Sequence, residues 1–188
     1  MVMPVPSSKP SADYLALVAT PTRSLAKVMR RGETPDVSSL VGREFRGTNL
    51  PAATARLLGL RRFIKGFTAV DHDRVEGYNV SVSGADLSTP WTERRQRDGR
   101  REWARFTVGP VDPTAVDNRY LEALLVDYGA VAEPEPGVAG HLRDYLVRVG
   151  PGSDDLLLGH AFLAAGRARV PIGWFLLEPL ASDAPGGV

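Results

Sequence analysis

The sequence predicts a mainly β protein: an eight-stranded antiparallel up-and-down barrel with short N-terminal helices packed outside it. Three observations carry the prediction. From Leu40 onward the chain falls into eight short apolar segments, roughly 41–49, 60–69, 74–82, 102–110, 118–128, 141–149, 155–163 and 169–178. Turn-forming residues separate most of them, which is the pattern of an all-β fold, and closing eight sequential strands removes the exposed edges of an open sheet. The connectors also alternate: 50–59, 83–101 and 129–140 are long, whereas 70–73, 111–117 and 150–154 are shorter. Alternate connectors of an up-and-down barrel share one end, so the long loops gather at one rim, as at the mouth of a ligand-binding barrel; the alternative is that 83–101 and 129–140 are simply disordered.

Taken in order, residues 1–10 carry three prolines and read as a flexible arm. Ser11 is placed to cap a helix running to about Ala19, with Tyr14, Leu15 and Val18 on one face. Thr20-Pro21 reads as a second cap with proline at the first helical position, and Gly32 is placed to end that helix after Arg31. Two such one-sided helices need a larger surface to lie on. A short helix is expected over Ala52–Leu58, between Pro51 and Gly59. Residues 11–180 form one domain, and 181–188 a flexible tail.

Composition bounds the function. A net charge of +1 argues against general nucleic-acid binding, which calls for a strongly basic face. Arginine supplies most of the positive charge, and the lysines are Lys9, Lys27 and Lys65. The absence of cysteine removes disulfides, thiolate nucleophiles and thiolate metal sites. No apolar run reaches the ~18–20 residues of a membrane span, and the N-terminus lacks the apolar core of a signal peptide. A cytoplasmic bacterial protein without a cofactor is expected.

Within this frame, Leu40-Val41-Gly42-Arg43-Glu44-Phe45-Arg46-Gly47 and Phe63-Ile64-Lys65-Gly66-Phe67, followed by Arg143-Asp144-Tyr145, Asp154 through Gly159 and Trp174 through Glu178, resemble the bacterial GXWXG family. Phe45 stands where that family has tryptophan, with one extra residue before it. The resemblance implies a lipocalin-like (calycin) barrel and no defined activity.

Residue parity then selects candidate site residues. If Gly150–Asp154 and Ala164–Ala168 are each five-residue loops, Asp144 lies opposite His160, and Leu158 opposite Trp174. One face then carries Leu142, Asp144, Leu146, Arg148, Leu156, Leu158, His160, Phe162, Ile172, Trp174 and Leu176. The other carries Gly159, Ala161 and Gly173 in its middle, small residues that would let the helices approach, so the first face is expected to point inward. A change of one residue in either turn inverts this assignment. Asp144 beside His160 could hold a ligand's polar end, act as acid and base, or form a satisfied structural pair. Trp91, in the long 83–101 loop, is expected to cover the mouth. Asp71-His72-Asp73 reads as a polar turn more readily than as a metal site, the 93–102 arginine run as a solvated loop, and Ser153 as a turn residue.

The expected function is binding of a small, mostly hydrophobic molecule inside the barrel. Leu158, Phe162, Ile172, Trp174, Leu176 and Trp91 would contact it, with Asp144 and His160 at its polar end. Two alternatives stand beside it. One is an isomerase or cyclase of a hydrophobic secondary-metabolite intermediate, using Asp144 and His160 as acid and base. The other is a filled barrel that works through its surface as a protein-interaction module.

Overall fold

Eight strands hydrogen-bond in sequence order, and the last pairs with the first to close the barrel. The computed structural model describes residues 9–51, 55, 60–71, 74–95, 98–99, 101–150 and 155–180. The strands are β1 (Glu44–Leu50), β2 (Arg62–Ala69), β3 (Val75–Ser81), β4 (Glu102–Pro110), β5 (Leu124–Asp127), β6 (Leu142–Arg148), β7 (Leu157–Ala165) and β8 (Ala168–Pro179). Every pairing is antiparallel, with β1 and β8 joined from Phe45↔Pro179 to Leu50↔Trp174. Among the described residues, no helix is long and apolar enough to cross a membrane.

Among the described residues, three short helices precede the barrel: α1 (Ala12–Val18), α2 (Thr22–Arg31) and α3 (Val37–Leu40). The Ser11 hydroxyl accepts from the Tyr14 amide at 3.1 Å, as a cap should. Thr20 does not cap α2. Pro21 occupies that position, and the Thr20 hydroxyl instead donates to the Ala16 carbonyl at 3.0 Å, closing α1. Tyr14, Leu25 and Met29 are buried on the outer face of the barrel against Tyr145, Val147, Leu158, Phe162 and Leu176. Gly32 approaches β6 so closely that a Cβ would fall 2.4 Å from Val147 Cγ2.

The connectors after β1, β3 and β5 lie at one rim, the mouth, as their lengths suggest. The connector after β4 does not fit that scheme. Strand β5 begins at Leu124 rather than near 118, so residues 111–123 form a long segment of their own. It runs over the outer face, where Tyr120 packs on Tyr145 and Phe162, and Asp117 pairs with Arg169 and Arg143. The expected helix at 52–58 lies almost wholly outside the described residues, as do 1–8 and 181–188.

The base of the barrel is filled. Phe45, Phe67, Phe106, Val108, Leu124, Val126, Leu146, Leu157 and Leu177 meet there, with Leu40 of α3 closing the end. Interior rings sit directly opposite glycines on neighbouring strands: Phe63 on Gly47, Phe106 on Gly77 and Phe175 on Gly159. A Cβ at Gly159 would stand 2.0 Å from the Phe175 ring, so the glycine surrenders its side-chain space to the aromatic.

Gly77→Ala meets both the Phe106 ring at 2.3 Å and the backbone oxygen of Gly66 at 2.4 Å. It is expected to cost about 1–3 kcal/mol and to lower the thermal midpoint. Gly109→Ala, whose Cβ would meet nothing within 4 Å, is expected to stay within about 0.5 kcal/mol of the parent in urea unfolding.

Candidate functional site

Above the aromatic layer the interior is hollow. A cavity of about 290 Å³ opens at the mouth, lined among others by Asn49, Phe63, Lys65, Asn79, Trp103, Tyr128, Leu142, Asp144, Ala161, Gly173 and Phe175. The filled barrel weighed as an alternative therefore describes only its lower half. Small residues make this space: Ala161 and Gly173 face each other across β7 and β8 on its wall.

Two β-bulges shape the mouth. In β4 the register shifts between Gly77 and Asn79, and Ala104 takes a left-handed backbone with φ of 44°. The extra residue lets Trp103 and Phe106 both contribute to the interior. Asn79 holds the bulge by donating its side-chain amide to the Ala104 carbonyl at 3.0 Å. A non-glycine residue in this conformation carries strain of order 1–3 kcal/mol, which recurs where a wall is re-aimed toward a site. In β8, Ile172 is the unpaired residue between Gly173↔Ala161 and Pro171↔Phe162.

Polar groups converge inside the cavity. Lys65 lies on β2 with the parity of Phe63 and Phe67, so its side chain is carried inward; it is 1% exposed. Its Nζ donates to the Tyr128 hydroxyl at 2.7 Å, and that hydroxyl donates to Asp144 Oδ2 at 3.0 Å. The ammonium also lies 4.1 Å from the Phe106 ring centroid and 5.1, 5.6 and 5.9 Å from those of Tyr128, Phe175 and Phe63. Burial pushes the Lys65 ammonium below the usual lysine range, opposed by the Asp144 charge. Burial likewise pushes the Asp144 carboxyl above the carboxylate range, opposed by Lys65 and by the Tyr128 hydrogen bond. The Tyr128 hydroxyl is held well above its ordinary value by burial and by Asp144, and stays protonated. Asp144 Oδ1 and Trp103 Nε1 are buried with no hydrogen-bond partner among the described residues. Burying either group without a partner costs roughly 1–3 kcal/mol.

The candidate residues read from parity divide across the wall. The β6–β7 turn spans 150–155, because the Val149 amide donates to the Leu156 carbonyl at 2.8 Å. This is one residue longer than expected, and it inverts β7. Asp144 pairs with Ala161 and faces inward, whereas His160 pairs with Tyr145 and faces outward. The expected Asp144–His160 pair does not form. Leu158, Phe162 and Leu176 lie outside with the helices, and Gly159, Ala161 and Gly173 serve the interior instead of the helical cover. Their small size was the argument for turning that face outward; its actual cause is the room needed by Phe175 and the cavity.

His160 stacks on Trp174, with ring centroids 3.6 Å apart and planes 10° from parallel, and its Nδ1 lies 2.9 Å from the Tyr120 hydroxyl. Burial, with Arg119 nearby, lowers its pKa to about 4, so the imidazole is neutral at neutral pH. Ile172 and Trp174 do border the cavity, at its mouth. Trp91 does not cover it. That ring is 2% exposed and packs outside the barrel with Ile64, Val80, Val82 and Leu180, with the Arg62 guanidinium 4.9 Å above it. Arg62 also donates to the carbonyls of Asp86, Thr89 and Pro90 at 2.6, 3.0 and 3.2 Å and to that of Ser83, so the 82–91 segment is pinned to the rim.

Lys65 and Tyr128 were not among the candidates read from sequence. The available signal was a lysine at the centre of an inward aromatic alternation, in a chain whose other cations are mostly arginine. Among the described residues, no group of three histidine or acidic side chains is arranged to hold a metal ion. His72, Asp73 and Ser153 lie outside the described residues. No family model, curated protein or solved structure matches the chain.

Asp144→Asn removes the charge that supports the Lys65 ammonium and leaves its burial in place. The Lys65 pKa is expected to fall further below its parent value, as read from the pH titration of its Cε–Hε signals by NMR.

Proposed function

We propose that the barrel binds a small, mostly hydrophobic molecule with one neutral polar end. The observation that carries this reading is the cavity: apolar and aromatic walls around a small set of convergent polar groups, at the lower end of the roughly 300–1,000 Å³ of ligand sites. Lys65 and Asp144 together bring no net charge when both are ionised, so an anionic head would meet repulsion from Asp144 as well as attraction to Lys65. A carbonyl or hydroxyl suits the site better, accepting from Trp103 or Lys65 and donating, where it can, to Asp144 Oδ1.

The lipocalin-like character and the kinship with the GXWXG family belong to this reading, supported by barrel closure and by long loops at the mouth. On the same reading the protein is cytoplasmic and bacterial, and its near-neutral charge supports the absence of nucleic-acid partners. A second reading, an isomerase or cyclase, is favoured by the buried Lys65–Tyr128–Asp144 chain, which can relay a proton. His160 has no part in it, since it lies on the other side of the wall.

Titration with Nile red, a neutral apolar dye, is expected to give saturable fluorescence enhancement. Ala161→Trp, which fills the cavity from β7, is expected to weaken that binding at least about tenfold, or ~1.4 kcal/mol, while circular dichroism remains that of the parent. Equal binding by the variant would move the site elsewhere.

A further inference from the structure

Resting on the cavity reading, we propose that Lys65 is a covalent anchor: its Nζ condenses with an apolar aldehyde or ketone to form an imine inside the barrel. Three observations converge on this. The amine lines an apolar cavity and is ringed by four aromatic side chains at 4.1 to 5.9 Å. Burial in the apolar wall favours the uncharged, nucleophilic form of a lysine, which is how lysines are prepared for carbonyl chemistry, while the ring faces are suited to the cation formed later. Second, the Tyr128 hydroxyl touches Nζ at 2.7 Å and Asp144 at 3.0 Å, so a proton path runs from the amine to a carboxylate. Third, Asp144 lines the cavity, and its Oδ1 is buried with no hydrogen-bond partner among the described residues. An acceptor in that state is suited to a transient hydroxyl group or to a cation forming beside it.

The chemistry balances within these groups. Lys65 first passes a proton through the Tyr128 hydroxyl to Asp144; the freed Nζ lone pair attacks the carbonyl carbon, and the carbonyl oxygen takes up a proton as the nitrogen loses one, giving a carbinolamine. Protonated Asp144, connected to the nitrogen through Tyr128, returns a proton to the carbinolamine hydroxyl. Water leaves, the C=N bond forms, and the resulting iminium cation keeps the Asp144 carboxylate as its counter-ion and the aromatic rings as a cation–π cage. One amine and one carbonyl become one imine and one water, with no change of oxidation state. The same carboxylate that makes the site unwelcoming to an anionic ligand makes it hospitable to an iminium.

The test traps the adduct on the parent protein. Cinnamaldehyde, a flat neutral aldehyde, is added with sodium cyanoborohydride at neutral pH, and labelled peptides are mapped by mass spectrometry. The reduced secondary amine is expected at Lys65, formed about tenfold or more faster than at Lys27, which lies exposed on α2 outside any apolar cavity. Labelling spread evenly over Lys9, Lys27 and the terminal amine, or absent from Lys65, overturns the proposal. Cinnamyl alcohol, which has the same shape but no carbonyl, separates the two levels of inference by displacement of Nile red. If the alcohol displaces the dye and the aldehyde leaves Lys65 unlabelled, the imine is wrong and the cavity reading stands. If neither compound displaces the dye and Lys65 stays unlabelled, both fall.

Discussion

The pairing of β8 with β1 is the constraint on which the rest of this structure depends. Once Phe45 meets Pro179 and Leu50 meets Trp174, no strand retains a free edge and the sheet acquires one inside and one outside. From that point each residue's environment follows from its parity. Lys65 enters the interior because Phe63 and Phe67 do, and Asp144 because Leu142 and Leu146 do. The helices have a single place to go, the outer face of β6, β7, β8 and β1, where Tyr14, Leu25 and Met29 complete a second core. A barrel this small cannot fill both halves with aromatic rings and keep a cavity, and the division is made along its axis: rings toward the base, space toward the mouth.

That constraint also explains what could be read from the sequence. Strand number, order and closure were legible, since apolar segments separated by turn formers leave few alternatives. The gathering of long loops at one rim was legible only in part, since the connectors after β1, β3 and β5 are long but so is 111–123 at the other end. Facing was not, for a physical reason. The walls of β7 and β8 are apolar on both sides, one side against helices and the other against the interior, so hydrophobicity carries no directional information there. The assignment then hung on the length of the turn at 150–155, where one residue reverses every side chain of β7. Asp144 faces inward as expected because two errors offset each other on β6, the extra turn residue and the reading of the small-residue face as outward; on β7 the second error alone put His160 on the wrong side. The bulge at Ile172 is invisible to any counting of alternation, as is the one at Ala104. Trp91 was read as an exposed loop aromatic. The loop carries it back against the outer wall, where Arg62 both stacks on the ring and binds the backbone around it.

Lys65, Tyr128 and Asp144 form a buried unit whose members are each costly alone. A lysine and an aspartate removed from water must offset their desolvation through each other, and here a tyrosine hydroxyl stands between them. A fold that only needed stability could place apolar residues at all three positions. Retaining a desolvated cation and anion beside an open cavity is the kind of arrangement in which pKa values shift away from their ordinary ranges, and such groups are more often found at sites than in cores.

The glycine seats beneath Phe63, Phe106 and Phe175 have a consequence for what the barrel can discriminate. Each ring occupies space that a neighbouring strand has given up, so ring and seat form a unit, and the level of the aromatic floor is set by how many such units are stacked along the axis. The barrel's girth is fixed by its strand number, whereas its depth is fixed by these pairs. If the cavity takes a ligand as proposed, the barrel would work as a depth gauge: two molecules of equal width would be told apart by how far their far ends reach toward the plug. Exchanging one ring–glycine pair would lengthen or shorten the gauge by about one layer of side chains, without disturbing a single hydrogen bond of the wall.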